Sequence, residues 1–291
     1  MPNLAKYLML LSYIFACPPT LIAAEKTDKL TASDFQRILA DPAQEALLQD
    51  FLRKAPKYEL KDAETTRTFY VAEGDLLLTE PQMRAYIYRH AYGSAPVRGG
   101  SGELLVLIDR GKPVFWKKDE RHLTYAVDRR SFASADQYAL VSKNMVLATK
   151  DWEAACADCG LSFTYRKEFD VNPDSNAVTF IVRFAADAND FIAAAFFPND
   201  PPFKRNVLIG PQYFTTTFDK VGVLRHETGH IIGYRHEQNV GVPGCIVEDD
   251  QWKPLTAYDP HSVMHYLCGG GGSMDFKITK IDREGHQKLY H

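Results

Sequence analysis

The stretch 223-VLRHETGHIIGYRHEQN-239 sets three histidines, a glutamate and a glycine at fixed offsets inside an otherwise apolar helical run. On an α-helix, positions four apart are separated by about 40° around the axis and about 6 Å along it. His226 and His230 therefore project side by side and can hold one metal ion through two imidazole nitrogens. Glu227 lies about 100° round from His226, within reach of a water on that ion. A third ligand six residues beyond His230 would be carried away along a continuing helix. Gly233 can take the left-handed conformation that ends a helix and turns the chain, which lets His236 swing back. Three neutral imidazoles leave one position open for water, the arrangement of a catalytic zinc site. A chance match of five such residues in a chain of this composition is on the order of a few in 10⁵.

The pattern 226-HETGHIIGYRH-236 resembles the HExxHxxGxxH signature of the metzincin clan of zinc endopeptidases. A second motif strengthens the likeness. The segment 261-HSVMHYLC-268 looks like the Met-containing turn of that clan, with Met264 placed 28 residues after His236 (264 − 236). Glu237 directly after the third histidine, and the SVMHY form of the turn, resemble the astacin-like branch. The similarity covers roughly residues 116–291, and its specific part is confined to 226–237 and 262–266.

The resemblance implies an α+β fold: a twisted mixed sheet with an antiparallel edge strand, an active-site helix and a Met-turn. It implies one Zn²⁺ ion held by His226, His230 and His236, which would lower the pKa of a bound water to about 7. Glu227 would take a proton from that water as it attacks a peptide carbonyl, then pass it to the leaving amine. Met264 would form an apolar floor rather than a ligand. Tyr266, two places after the methionine, would move between the metal and the substrate oxyanion; its other reading is a core aromatic. The run 193-AAAFFP-198 is similar to the edge strand that pairs with extended substrate, and reads equally as a buried strand. The loop 268-CGGGGS-273 would border a substrate pocket.

The rest of the chain sets the context. Its 291 residues are 45% hydrophobic, 24% charged and 12% aromatic, enough for one large or two modest domains. A net charge of -3 gives no basic excess, so nucleic acid is not an expected partner. Lys6 followed by the uncharged run 7-YLMLLSYIFACPPTLIAA-24 reads as a signal peptide cleaved after small residues, which makes the protein secreted or periplasmic. A membrane anchor is the rival, interrupted by Pro18 and Pro19. A lipid anchor at Cys17 in 14-IFAC-17 is a further variant. Removal of the signal leaves Cys156, Cys159, Cys245 and Cys268, an even set for an oxidising compartment. Of three connectivities, the expected one joins Cys245 to Cys268 and closes 156-CADC-159 locally. A redox or zinc role is the alternative for that CxxC.

Residues 25–115 form an N-terminal region ahead of a catalytic domain at 116–291. Residues 25–93 read as mainly helical, with cap signals at Ser33–Gln36, Asp41–Gln44 and Thr79–Gln82. The stretch 94–102 is a linker by composition, and 103–116 reads as two short strands around an Asp109-Arg-Gly turn. Strands are expected at 122–127, 161–169, 177–185, 192–198 and 206–211, with a long helix over 134–156. The N-terminal region raises latency. It contains no cysteine, which excludes a cysteine switch, whereas astacin-like pro-segments use an aspartate in a Phe-x-Gly-Asp pattern. Here 70-YVAEGDLLL-78 offers Gly74-Asp75 with Ala72 in place of the phenylalanine. The other reading of Gly74-Asp75 is a turn into a strand. Arg98, Lys117-Lys118 and Arg121 are the basic positions available for maturation.

Three functions fit: a secreted zinc endopeptidase acting on protein or peptide as a monomer, a narrow-specificity peptidase, or a zinc-stabilised binding module. An inactive module would be expected to lack the base or a ligand, and none is missing. No group for capturing a charged terminus stands out, and no DxDxDG-type calcium loop is present. The endopeptidase is therefore the reading expected.

Overall fold

The computed structural model describes residues 30–61, 65–92, 104–245 and 251–291. The signal segment, Cys17 and the 94–102 linker lie outside them. No helix among the described residues is long and apolar enough to cross a membrane.

The N-terminal region is less helical than its sequence suggests. Helices Ala32–Ala40, Glu45–Lys54 and Glu80–Tyr92 are joined by a three-stranded antiparallel sheet of β1 (Lys57–Lys61), β2 (Thr66–Ala72) and β3 (Leu76–Leu78). The first helix is capped by Thr31 rather than Ser33, because Asp34 three residues on completes a capping box. The second has Gln44 at its N-cap with no side-chain cap, and Asp41 accepts only from Gln44. Thr79 precedes the third helix as expected, with Gln82 reaching back to its backbone N–H at 3.0 Å.

The pair expected at 103–116 is β4 (Leu105–Asp109) and β5 (Lys112–Pro113), joined through Arg110 and Gly111, both at positive φ. A second sheet has the order β7-β6-β8-β10-β9. It comprises β6 (His122–Val127), β7 (Ser162–Tyr165), β8 (Phe180–Phe184), β9 (Ala193–Ala194) and β10 (Asn206–Ile209). Its first four strands are parallel and β9 closes one edge antiparallel, so the fold is α+β with a mixed sheet. The expected strands at 161–169 and 192–198 are cut short. Asp170 gathers the hydroxyls of Tyr138 and Tyr165 and turns the first one. Asp200 accepts from the Phe197 N–H at 2.9 Å and turns the second.

The helix Ala135–Ala155 is capped by Ser134 and buries Val141, Met145, Ala148 and Trp152 along one stripe. It packs on the helix Lys220–Ile231, where the Trp152 indole N–H donates to the Arg225 carbonyl at 2.8 Å and Arg225 pairs with Asp151. After Gly233 the chain enters β11 (Tyr234–Arg235), which pairs with β4; β12 (Trp252–Pro254) lies on the other side of β4. The last helix, Lys280–Tyr290, opens with a Thr279–Asp282 capping box.

Gly233 has φ +101°, and a Cβ there would lie 2.2 Å from the Val114 carbonyl oxygen. Both the backbone and the close approach therefore exclude any other residue without rearrangement. Gly233→Ala is expected to lower unfolding free energy by on the order of 3 kcal/mol, read from the midpoint of denaturant unfolding. A loss below about 1 kcal/mol would mean the turn tolerates a side chain and is not fixed as described.

Candidate metal centre

The helix Lys220–Ile231 supplies His226, Glu227 and His230, all buried in an apolar setting. Its C-terminal end is turned by Gly233, and His236 returns on the far side of β11. The result is convergence. His226 Nε2 lies 3.2 Å from His236 Nε2, and His230 Nε2 lies 3.1 Å from it.

The ring orientations are fixed from behind. The Val263 carbonyl sits 2.8 Å from His226 Nδ1, and the Tyr234 carbonyl 2.7 Å from His230 Nδ1. A carbonyl can only accept, so the hydrogens reside on Nδ1 and the Nε2 lone pairs point at one another's shared centre. Lone pairs so placed repel unless a cation or proton lies between them. Tetrahedral zinc with bonds of about 2.0–2.1 Å to nitrogen separates its ligand atoms by about 3.3 Å, close to the spacing found here. The donor set fits a zinc ion. Burial holds His230 down at about 4, which keeps it neutral as ligation requires.

A fourth group closes the centre. The Asp75 carboxylate reaches it from the tip of the β2–β3 hairpin, with Oδ2 at 3.3 Å from His226, 3.6 Å from His230 and 3.0 Å from His236. These four residues form one buried group able to hold a metal ion. Burial alone would raise the Asp75 carboxyl, but the imidazoles facing it, His236 foremost, hold it well below the usual range. Gly74-Asp75 is a turn, and the turn delivers the aspartate to the three histidines.

Glu227 is also buried, and its Oε2 has no hydrogen-bond partner. Burial, reinforced by the Asp75 charge and opposed by His236, pushes its carboxyl well above the ordinary range. An unpartnered buried carboxylate oxygen is a costly feature that calls for a functional explanation. The Tyr266 ring lies tilted at 41° to that of His236, with centroids 4.2 Å apart, and stacks on His226 at 5.7 Å. Its hydroxyl donates to Asp75 Oδ2 at 2.5 Å and lies 3.1 Å from the Glu73 carbonyl.

The 262–266 segment turns next to the histidines. Met264 is fully buried, and a Cβ added at Gly229 would lie 2.2 Å from its sulfur. The glycine inside 226-HETGH-230 is therefore where the methionine packs, a point its sequence position alone does not reveal. Glu237 ties this turn to the third histidine. Its N–H donates to the Met264 carbonyl at 2.9 Å and its Oε1 accepts from the Asp259 N–H at 3.0 Å. Asp282, absent from the expected site, accepts from Ser262 Oγ at 2.6 Å and from the Val263 N–H at 3.0 Å. The Thr279-x-x-Asp282 capping signal was readable, but not its second task of bracing this turn. The disulfides Cys245–Cys268 and Cys156–Cys159 are both formed, as expected. The first ties Cys268, just past the turn, back to Cys245; the second leaves the CxxC no part in the metal centre.

No protein-family model matches the chain, and no curated protein matches it in sequence. Among solved structures it is similar to myroilysin at 15% identity, covering 64% of this chain and 98% of that one, with a TM-score of 0.43. A structure of a chaperone–substrate complex matches at 12% identity over 58% of this chain and 35% of that one, with a TM-score of 0.30. Metalloproteinase-II from Bacteroides fragilis matches at 12% identity over 74% and 76% of the two chains, with a TM-score of 0.27. Likenesses this loose decide no chemistry; the residues of the site must.

Zinc content checks the assembly directly. The chain purified with zinc is expected to carry one ion, measured by plasma mass spectrometry after desalting. His226→Ala and His230→Ala should each lose most of it at equal protein concentration. Full retention by both variants would remove these residues as ligands.

Proposed function

We propose that the protein is a secreted zinc endopeptidase of the metzincin clan, closest to the astacin-like branch, described here in its latent form. The observation that carries this reading is the convergence of His226 and His230 Nε2 to within 3.1–3.2 Å of His236 Nε2, beside a helix carboxylate, Glu227, that has an unpartnered oxygen. Zinc held by His226, His230 and His236 would acidify water to a pKa of about 7 and polarise a peptide carbonyl.

The chain's own residues supply the rest. Glu227 is the general base: it takes a proton from the attacking water and returns it to the leaving amine. The Tyr266 hydroxyl, now beside the peptide carbonyl of Glu73, is placed to donate to a substrate carbonyl oxygen as negative charge develops. Extended substrate has an edge to pair with. Ala195, just past β9, already forms a parallel bridge with Leu76 of the hairpin. Met264 contributes packing, not a ligand.

Latency is the second half of the reading, and Asp75 carries it. Its carboxylate occupies the face of the histidines where water would bind. The hairpin that bears it is docked through two apolar clusters. Tyr70, Ala72 and Leu76 pack with Leu107, Val114 and Phe197, while Leu60, Phe69, Val71 and Leu77 pack with Ala185, Ala194 and Leu208. A catalytically silent binding module remains the alternative, because a permanently seated Asp75 would also block the centre.

The strand β4 bears on where the pro-segment would end. It pairs with β11 beside the third ligand, and the Leu107 N–H donates to the Gly233 carbonyl at 2.9 Å. A unit starting at residue 116 would lack this support, so we place the start of the catalytic unit ahead of Leu104. Arg121 is a poor maturation point, since its guanidinium is buried against the carbonyls of Trp116, Cys159 and Tyr290. Arg98 lies outside the described residues.

Zinc-loaded protein from residue 25 onward, and the same chain with Asp75→Ala, would be offered a mixed peptide library with products read by mass spectrometry. Internal cleavage is expected to rise at least about tenfold in Asp75→Ala, and to vanish with chelator or with Glu227→Ala added. Cleavage that survives Glu227→Ala would exclude the base assignment. Silence from Asp75→Ala, and from a form beginning just ahead of Leu104, would favour the binding module.

A further inference from the structure

Away from the metal centre, a small cavity of about 110 Å³ lies where the Asp75 hairpin meets the parallel sheet, lined by Arg67, Ser175, Arg183, Phe203, Arg205 and Asn206. Arg67 stands on β2 of the hairpin, Arg183 on β8, and Arg205 and Asn206 at the start of β10. Three arginines from two parts of the chain thus meet there, and no carboxylate is among the lining residues. The Arg67 guanidinium lies over the Phe203 ring at 4.8 Å, which carries it across the boundary between hairpin and sheet.

The partners of these arginines leave positive charge in place. Arg183 pairs with Asp128 at 3.4 Å. Arg205 donates from Nε to the Asp200 carbonyl at 2.9 Å and from Nη2 to the Pro198 carbonyl at 3.4 Å. A carbonyl satisfies a donor without neutralising the charge. Burial lowers the Arg205 pKa, against the opposing pull of Asp200 and Glu120, so a further negative charge nearby is favoured. No guanidinium here has to be idle. Each carries five N–H donors in a planar fork, so an arginine that serves one partner can serve a second acceptor.

Asn206 narrows the ligand. It is buried, and its Nδ2 donates to the Phe203 carbonyl at 3.3 Å, which fixes the amide orientation because a carbonyl can only accept. Its Oδ1 is buried with no hydrogen-bond partner, a costly state unless a donor arrives. A ligand that suits both features is an anion that also carries an O–H. Sulfate has the charge but no hydrogen at neutral pH. A phosphomonoester, with a second pKa of about 6, is mostly doubly ionised at neutral pH and has none either. Inorganic phosphate keeps at least one O–H there. The cavity has room for such a small oxyanion and is well under the roughly 300–1,000 Å³ of sites for drug-sized ligands.

We propose that this cavity is a binding site for inorganic phosphate, which bridges Arg67 of the hairpin to Arg183 and Arg205 of the sheet and donates to Asn206 Oδ1. Arg67 stands on the strand that leads to Asp75, so bound phosphate holds the hairpin in its seat. That consequence for latency rests on the endopeptidase reading above; the binding itself does not.

The zinc-loaded full chain, titrated calorimetrically at neutral pH and matched ionic strength, is given sodium phosphate, sodium sulfate or glycerol 3-phosphate. Phosphate should bind one equivalent with a Kd below about 1 mM, and the other two at least about tenfold more weakly. Arg67→Gln should weaken phosphate at least about tenfold. Ser175→Asp, at an exposed loop position, should abolish binding by setting a carboxylate at the cavity, and it serves if Arg67→Gln fails to fold. Thermal unfolding in chloride confirms that each variant is folded. Amide hydrogen exchange over residues 66–78 should slow at least about threefold with phosphate in the unaltered chain, and in neither variant. No binding up to about 10 mM phosphate, equal affinity for sulfate, or an affinity untouched by both variants overturns the site. Binding without slower exchange in the hairpin overturns the bridge. No arm reads peptide cleavage, so failure of this site and failure of the peptidase reading are separate outcomes.

Discussion

A straight helix can aim two histidines at one point, but not a third placed six residues further along. The whole site depends on the reversal at Gly233, where a positive φ and the approach of the Val114 carbonyl leave no room for a Cβ. That approach is possible because β4 and β5 lie against the outgoing chain. The third imidazole is therefore placed by a strand more than a hundred residues upstream, not by the helix alone. Glu237 then locks the returning chain to the Met264 turn, and Asp282 locks that turn to the final helix. Each constraint transmits to the next, so the centre is assembled by the fold as a unit.

The electrostatics of the centre follow from its burial. Three imidazoles with their Nε2 atoms turned inward form a cavity that wants positive charge, and Asp75 adds a carboxylate to the same point. The two buried carboxyls are pushed apart: the imidazoles hold Asp75 low, while burial drives Glu227 high. One carboxylate is thereby committed to the histidines, and the other is left with an oxygen unpartnered. In the proposed peptidase these are the two states of a single design, with Asp75 sitting where water will sit and Glu227 waiting beside it.

The metal site was legible because chemistry dictates residue identity at fixed offsets, and a helix turns those offsets into geometry. The imidazoles of His226, His230 and His236 meet at one point, as their spacing suggested. The parallel strands and the helix over Ala135–Ala155 were legible from their apolar periodicity. The N-terminal sheet was not: Tyr58 and Leu60 do alternate with charged residues in 57-KYELK-61, but the run is only five residues long and gains its partner only through β2. The cap of the first helix moved from Ser33 to Thr31 because Asp34 suits a capping box and Gln36 does not compete. The seating of the Asp75 hairpin had no local signal, since the bridge of Leu76 to Ala195 could be seen only in three dimensions.

The central claim is that one ion is held by three imidazoles and the hairpin carboxylate. X-ray absorption at the zinc edge of the full-length protein tests it most directly. The account predicts three nitrogen scatterers with imidazole outer-shell features and one oxygen, all at about 2.0–2.1 Å. Replacement of Asp75 by alanine should leave the three imidazoles and exchange only the oxygen. A sulfur scatterer, or fewer than three imidazoles in the full-length chain, would contradict it.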